Sequence, residues 1–277
     1  MKRIFQFSLV GLILLVSSCA SKYSKVLNSK DNEYRIKMAN KYYEEKKYAH
    51  AQELYQELFP YLRGTPRHED AFYKFAYSAY YLKDYQSASL AYQTFMENFP
   101  NSSLVPNASY MQAYCLFLSS PKAELDQTAT HKAMGLLKAF VNNYPKSEKA
   151  AEAQKLIGQC NQKLEEKEYL SAQLYYDLGY FKASHLYFDL LLSDYPASAK
   201  ADQYMFMIAK SSYEYAKVSI PSAQQERYEQ TVEDCTNFLG QFPDSQFKDK
   251  ATQMKSDAEQ QLAKFKKLQN EQTQKTS

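Results

Sequence analysis

The sequence predicts an all-α fold, a run of about five helix pairs closed by a C-terminal capping helix. Three observations carry this. The chain has 6 Gly against 26 Tyr and 16 Phe, with no Trp, a composition that favours long helices with aromatic cores. A helix-stop, helix-start phrase recurs along it. Small residues recur at fixed offsets from that phrase, as close helix packing requires.

The phrase is aromatic-Pro-x-Ser: Phe99-Pro100-Asn101-Ser102, Tyr144-Pro145-Lys146-Ser147, Tyr195-Pro196-Ala197-Ser198 and Phe242-Pro243-Asp244-Ser245. Pro cannot continue the preceding helix, and Ser is expected to cap the next. A degenerate first copy, Leu62-Arg63-Gly64-Thr65, has Thr as its cap and Pro66 expected at the first helical position. The Ser/Thr spacings are 37, 45, 51 and 47 residues, a period that calls for a repeat.

Counting back from each phrase finds a small residue (Ala51, Ala88, Ala133, Ser184, Thr231) and a large apolar one (Leu58, Phe95, Phe140, Leu191, Phe238). Between them lie Tyr55, Tyr92, Leu137, Phe188 and Cys235, so three- and four-residue steps put all three on one helix face. The preceding helix carries its own small residue: Ala39, Ala76, Ala113, Ala172 and Ala209. The two small positions are 12 residues apart in three repeats but 20 and 22 apart in the third and fifth, which predicts expanded turns there. Ser120 to Thr130 reads as a loop inserted in the third repeat. Residues 149–178 contain no Pro and read as an elongated helix, or two nearly continuous ones. From Phe247 a capping helix is expected, then a disordered tail over Asn270 to Ser277.

The N-terminus addresses compartment. Lys2 and Arg3 precede an apolar run from Ile4 to Val16, too short to cross a bilayer and of signal-peptide length. Val16-Ser17-Ser18-Cys19 then matches a bacterial lipobox. This predicts cleavage after residue 18, lipid on Cys19, and a polar tether up to Asp31. Ala20 lacks the aspartate that retains some lipoproteins in the inner membrane, which favours the outer one. Mean hydropathy is −0.61. The formal charge of +3 approaches zero once Lys2 and Arg3 are removed, which argues against nucleic acid as a partner.

Little here suggests chemistry. His50, His68, His131 and His185 are scattered, without metal-ligand spacing. Glu44-Glu45 and Glu165-Glu166 are adjacent on helices and diverge by about 100°, as a 3.6-residue turn dictates. No phosphate-binding glycine loop is present. No catalytic residue, cofactor or metal is expected. Cys115, Cys160 and Cys235 read as buried apolar residues, although one disulfide pair remains open. Tyr73, Tyr77, Tyr80 and Tyr81 crowd one helix and Tyr110 and Tyr114 another; some fill the core, and the resemblance described next makes the rest candidates to line a peptide groove.

The repeat pattern resembles the tetratricopeptide family. That family has small residues at these two positions, an aromatic at the turn inside each pair (here Tyr48, Tyr85, Phe181 and Tyr228) and a Pro ending the second helix. The resemblance implies a right-handed superhelix of about five tetratricopeptide-like helix pairs. Repeats one to three would cover residues 32–148. A long connecting helix with repeats four and five would cover 149–245, and cap and tail 246–277. First helices line the groove in that family.

Lipobox, repeat number, inserted loop and long middle helix together resemble the BamD-type outer-membrane assembly lipoproteins. The closest stretch runs from Glu168 to Ser198 and includes Glu168-Tyr169, Tyr175-Tyr176, Gly179 and Asp194-Tyr195-Pro196-Ala197-Ser198. It departs from the family by the extra hydrophobic Leu174. Leu125-Asp126-Gln127 in the loop resembles another family phrase, with Leu125 where a basic residue is usual. The resemblance implies a periplasm-facing scaffold, held to the membrane through its lipid anchor only. Its C-terminal repeats would hold a BamA-like barrel protein by its POTRA part, and its N-terminal repeats would receive unfolded outer-membrane protein clients. Ser184, His185 and Tyr187 are the candidate partner interface, although the basic residues the family uses there are missing. An adaptor for cell-wall or envelope machinery is the alternative.

Overall fold

The computed structural model describes residues 22–276, apart from the side chains of 268, 269 and 271–276. The segment expected to be a signal peptide, and Cys19 with it, lie outside the described residues. Among the described residues every regular element is an α-helix. The helices are α1 (Asn32–Glu44), α2 (Tyr48–Leu62), α3 (Arg67–Tyr81), α4 (Tyr85–Asn98), α5 (Val105–Ser119), α6 (Thr128–Asn143), α7 (Ala150–Asp177), α8 (Phe181–Asp194), α9 (Ala201–Lys217), α10 (Pro221–Gln241) and α11 (Lys248–Thr276). The chain divides into two units, Met1–Asn161 and Gln162–Ser277, with the boundary inside α7.

Within unit one, each of α1 to α6 packs on its neighbour in the sequence; within unit two, α8 to α11 do the same, and α9 also meets α11. This is the packing of tetratricopeptide-like helix pairs. The small residues predicted at the close approaches (Ala39, Ala51, Ala76, Ala88, Ala113, Ala133, Ala172, Ser184, Ala209 and Thr231) are all 0% exposed. The large partners fill the space beside them. Phe95 and Tyr92 lie in the core of unit one, and Phe188 and Phe238 in that of unit two. A separate cluster around Leu54, Tyr55 and Leu58 holds the first pair.

The recurring phrase ends four helices in one way. Phe99, Tyr144, Tyr195 and Phe242 are the C-caps, with φ between −131° and −127° and ψ of 57° to 62°. The following Pro disfavours the α region for exactly the residue before it, and each aromatic takes an extended φ while its N–H still closes the last turn. The serines, however, do not cap the next helix. Ser102, Ser147, Ser198 and Ser245 accept from the backbone N–H two residues on, in a turn before the helix starts. Three of them also donate to an acid on an earlier helix: Ser102 to Glu69 in the first turn of α3 at 2.6 Å, Ser198 to Glu165 in the middle of α7 at 2.5 Å and Ser245 to Asp202 in the first turn of α9 at 2.7 Å. Thr65 donates to the Leu62 carbonyl, and Pro66 is the N-cap of α3 rather than its first residue.

Other sequence expectations shift. The inserted loop ends at Gln127, because α6 begins at Thr128. The fifth repeat has no expanded turn: only residues 218–220 separate α9 from α10. Its wide spacing comes from a 21-residue α10, started early by Pro221. Tyr228 therefore sits buried inside α10, not at a turn. Residues 149–178 contain one helix, α7, of 28 residues. The segment expected as a tether is helical over 22–27, and Val26, 2% exposed, packs with Tyr23 and Leu27 on the first pair. Residues 270–276, expected as a disordered tail, continue α11.

Candidate functional site

The tyrosines of α3 and α5 mostly serve the core. Tyr73 and Tyr77, half-buried, donate their hydroxyls to one acceptor, Asn107 Oδ1, at 2.8 and 3.0 Å. Burial raises both phenol pKa values, so both remain protonated donors. Tyr80 packs among Tyr81, Tyr85 and Tyr114. Tyr110 is 2% exposed, and its ring stacks on Tyr114 at 5.7 Å. Tyr110 is thus a core residue, and its face is unavailable to a ligand. Of the six, Tyr81 is the one whose ring is broadly exposed, and it stacks on Tyr48 at 4.4 Å.

The α8 candidates separate in the same way. Ser184 is buried, donates to the Ala172 carbonyl at 3.2 Å and accepts from Ser211 at 3.0 Å. It holds α8 against its neighbours and offers nothing to a partner. His185 and Tyr187 do reach the surface. Tyr187 stacks on Tyr175 at 4.6 Å. His185 Nε2 lies 3.1 Å from Asp234 Oδ2. Ser212 donates to the same oxygen, and Gln230 to the other at 2.9 Å. Hydrogen bonding to Asp234 holds the imidazole pKa above its ordinary value, against the opposing effect of burial.

Around these residues unit two exposes an apolar surface that reading the sequence did not single out. Leu174, Leu178, Tyr180, Leu186, Leu190 and Val218 are each at least half exposed. A groove of about 820 Å³ runs through this region, walled by Tyr175, Tyr180, Phe181, Leu186, Tyr215 and Val218. It shares Lys182, His185 and Tyr215 with a smaller polar pocket of about 340 Å³. Arg227 enters that pocket with its guanidinium 3.9 Å from the Tyr215 ring centroid. Apolar surface beside an arginine held on an aromatic ring suits protein recognition. The available signals in the sequence were Leu174 and the Leu186/Leu190 pair, four residues apart and off the face that carries Phe188.

Among the described residues no group of three or more His, Cys, Asp or Glu is placed to hold a metal ion. Cys115, Cys160 and Cys235 are all buried. Burial pushes the Cys115 and Cys235 thiols up to about 12, so neither is a ready nucleophile. Among the described residues no helix is long and apolar enough to cross a membrane.

The fold defines a protein of tetratricopeptide-like helical repeats. The family model described as YfiO, outer membrane lipoprotein, matches residues 29–184 and again 173–268. The chain belongs to this family, the BamD-type lipoproteins of the outer membrane. No curated protein matches the chain.

Proposed function

We propose that the protein is a lipid-anchored scaffold subunit of the β-barrel assembly complex. Cys19 carries the lipid, the repeats face the periplasm, and the α8 region of unit two holds the periplasmic POTRA part of a BamA-like barrel protein. The observation that carries this reading is the exposed apolar groove joined to the Lys182, His185 and Arg227 pocket. An uncovered groove of this kind in water is a standing cost that a partner removes. Unit one is the proposed receiver of unfolded outer-membrane clients, with the exposed Tyr81 ring, stacked on Tyr48, as one aromatic surface for them.

The test is affinity isolation of the tagged lipoprotein after mild detergent extraction. A POTRA-containing barrel protein is expected to co-purify. Leu186→Glu with Val218→Glu should abolish its recovery while circular dichroism remains helical, since truncating or charging a central anchor typically costs at least ~2 kcal/mol of binding. Recovery of cell-wall enzymes in place of a barrel protein would overturn the proposal in favour of an envelope adaptor.

A further inference from the structure

The first helix pair carries a cavity of about 440 Å³ at the N-terminal end of the described chain. Lys22, Lys25, Lys41 and Lys47 bring four ammonium groups to its walls, against a single carboxylate, Glu45. Lys47 is held by that carboxylate at 2.6 Å and lies over the Tyr42 ring; Lys41 is 3.8 Å from it. Lys22 and Lys25 are exposed and make no ion pair among the described residues. The rest of the wall is amphipathic: Tyr23 stacks on His50 at 3.8 Å, and Tyr34 is 43% exposed.

The position of this cavity gives it meaning. Lys22 follows Cys19 by three residues, and three residues span at most about 11 Å of extended chain. The helical segment 22–27 is not a free leash, because buried Val26 fixes it to α1 and α2. Given lipid on Cys19, on which this inference rests, the lysine cavity is confined close to the bilayer surface. Lysines near an anionic surface and tyrosines at headgroup depth both stabilise membrane contact.

We propose that this face binds the phosphate headgroups of anionic phospholipids, as a second membrane contact beside the acyl chains. The first helix pair is then oriented on the bilayer, not merely tethered near it.

The acylated full-length mature protein tests this in two kinds of vesicle, phosphatidylcholine alone and phosphatidylcholine with an equal amount of phosphatidylglycerol. Lysine reactivity toward a water-soluble amine-acylating reagent is read residue by residue by mass spectrometry. Lys22 and Lys25 should label roughly fivefold more slowly in the anionic vesicles, the factor expected for one lysine at such a surface. Lys122 and Lys132 should not change. Salt at 1 M, where the screening length is about 3 Å, should erase the difference. In Lys22→Gln/Lys25→Gln the protection at Lys41 should fall away while the protein stays on the vesicles. Equal labelling in both vesicles would overturn the proposal. So would equal protection by inorganic phosphate in detergent, which would assign a free-ion site. Intact mass reports acylation of Cys19 separately: an unacylated mature protein refutes the anchor, whereas an acylated one with unprotected lysines refutes the headgroup contact alone.

Discussion

Three helix ends in this protein solve the same problem with different residues. After α1, α3 and α7 the chain must reverse, and the reversing residue has positive φ: Lys46 at 59°, Lys83 at 63° and Gly179 at 79°. In each case the next N–H reaches back five residues, Lys47 to Tyr42, Asp84 to Ala79 and Tyr180 to Tyr175, at 2.8 to 3.0 Å. This is the Schellman arrangement, for which Gly is the unstrained choice. Two lysines therefore occupy a glycine position. Relief of left-handed strain is worth about 1–2 kcal/mol, offset by about 0.5–1 kcal/mol of extra glycine entropy in the unfolded chain. Lys83→Gly should accordingly stabilise the protein by roughly 0.5–1 kcal/mol. Gly179→Ala should destabilise it through strain alone, since an added Cβ at Gly179 meets nothing within 4 Å. Urea titration of both variants checks the signs; a lower midpoint for Lys83→Gly would refute the account. Sequence alone showed Gly179 as part of a family phrase but gave no hint that Lys46 and Lys83 play its part, because residue type does not reveal φ.

At the scale of elements, the loop between α5 and α6 shows how an insertion is kept in order. Gln127 is 6% exposed. Its Nε2 donates to the carbonyls of Lys122 at 2.7 Å and Leu125 at 3.1 Å, and its Oε1 accepts from Thr130 Oγ1 at 2.6 Å. Ser120 closes the far side on the same Thr130 hydroxyl at 2.7 Å. Gln127→Ala leaves these groups without their partner, at a cost of about 1–3 kcal/mol for each one that stays buried. Hydrogen exchange should then rise over residues 120–130 and stay unchanged in α1 and α2. No change in the loop would show that water replaces the amide freely. The loop's existence was legible from the 20-residue spacing of Ala113 and Ala133, and helix ends were legible from the aromatic-Pro pairs. The role of the serines was not. A cap and a turn before a cap look alike in sequence, and the acids that Ser102, Ser198 and Ser245 reach lie 33 or more residues away. The fifth repeat misled for a related reason: its extra residues fit equally well as a longer turn or as two added helical turns, and Pro221 starts α10 early.

For the whole molecule, the repeat and its core were legible because burial in a helix pair repeats with the chain, whereas the exposed groove was not. Leu186 and Leu190 have the spacing of a buried stripe, and only the packing of α8 through Phe188 and Leu191 leaves them outside. The structure has distinct cores in its two units, Phe95 and Phe140 belonging to the one and Phe188 and Phe238 to the other. In a repeat protein stability is close to a sum of repeat and nearest-neighbour contributions. A loss in one core should therefore be felt locally first. Phe238 is 0% exposed and packs on Phe206 with ring centroids 5.9 Å apart, so Phe238→Ala should cost about 3–5 kcal/mol. Hydrogen exchange should show that loss across α8 to α10, while amides in α2 to α4 keep the protection of the parent protein. Unfolding should accordingly separate into two transitions, with the variant shifting only the weaker one. If α2 to α4 lose protection by the same free energy as α8 to α10, the chain unfolds as one cooperative block, and the nearest-neighbour description fails for this protein.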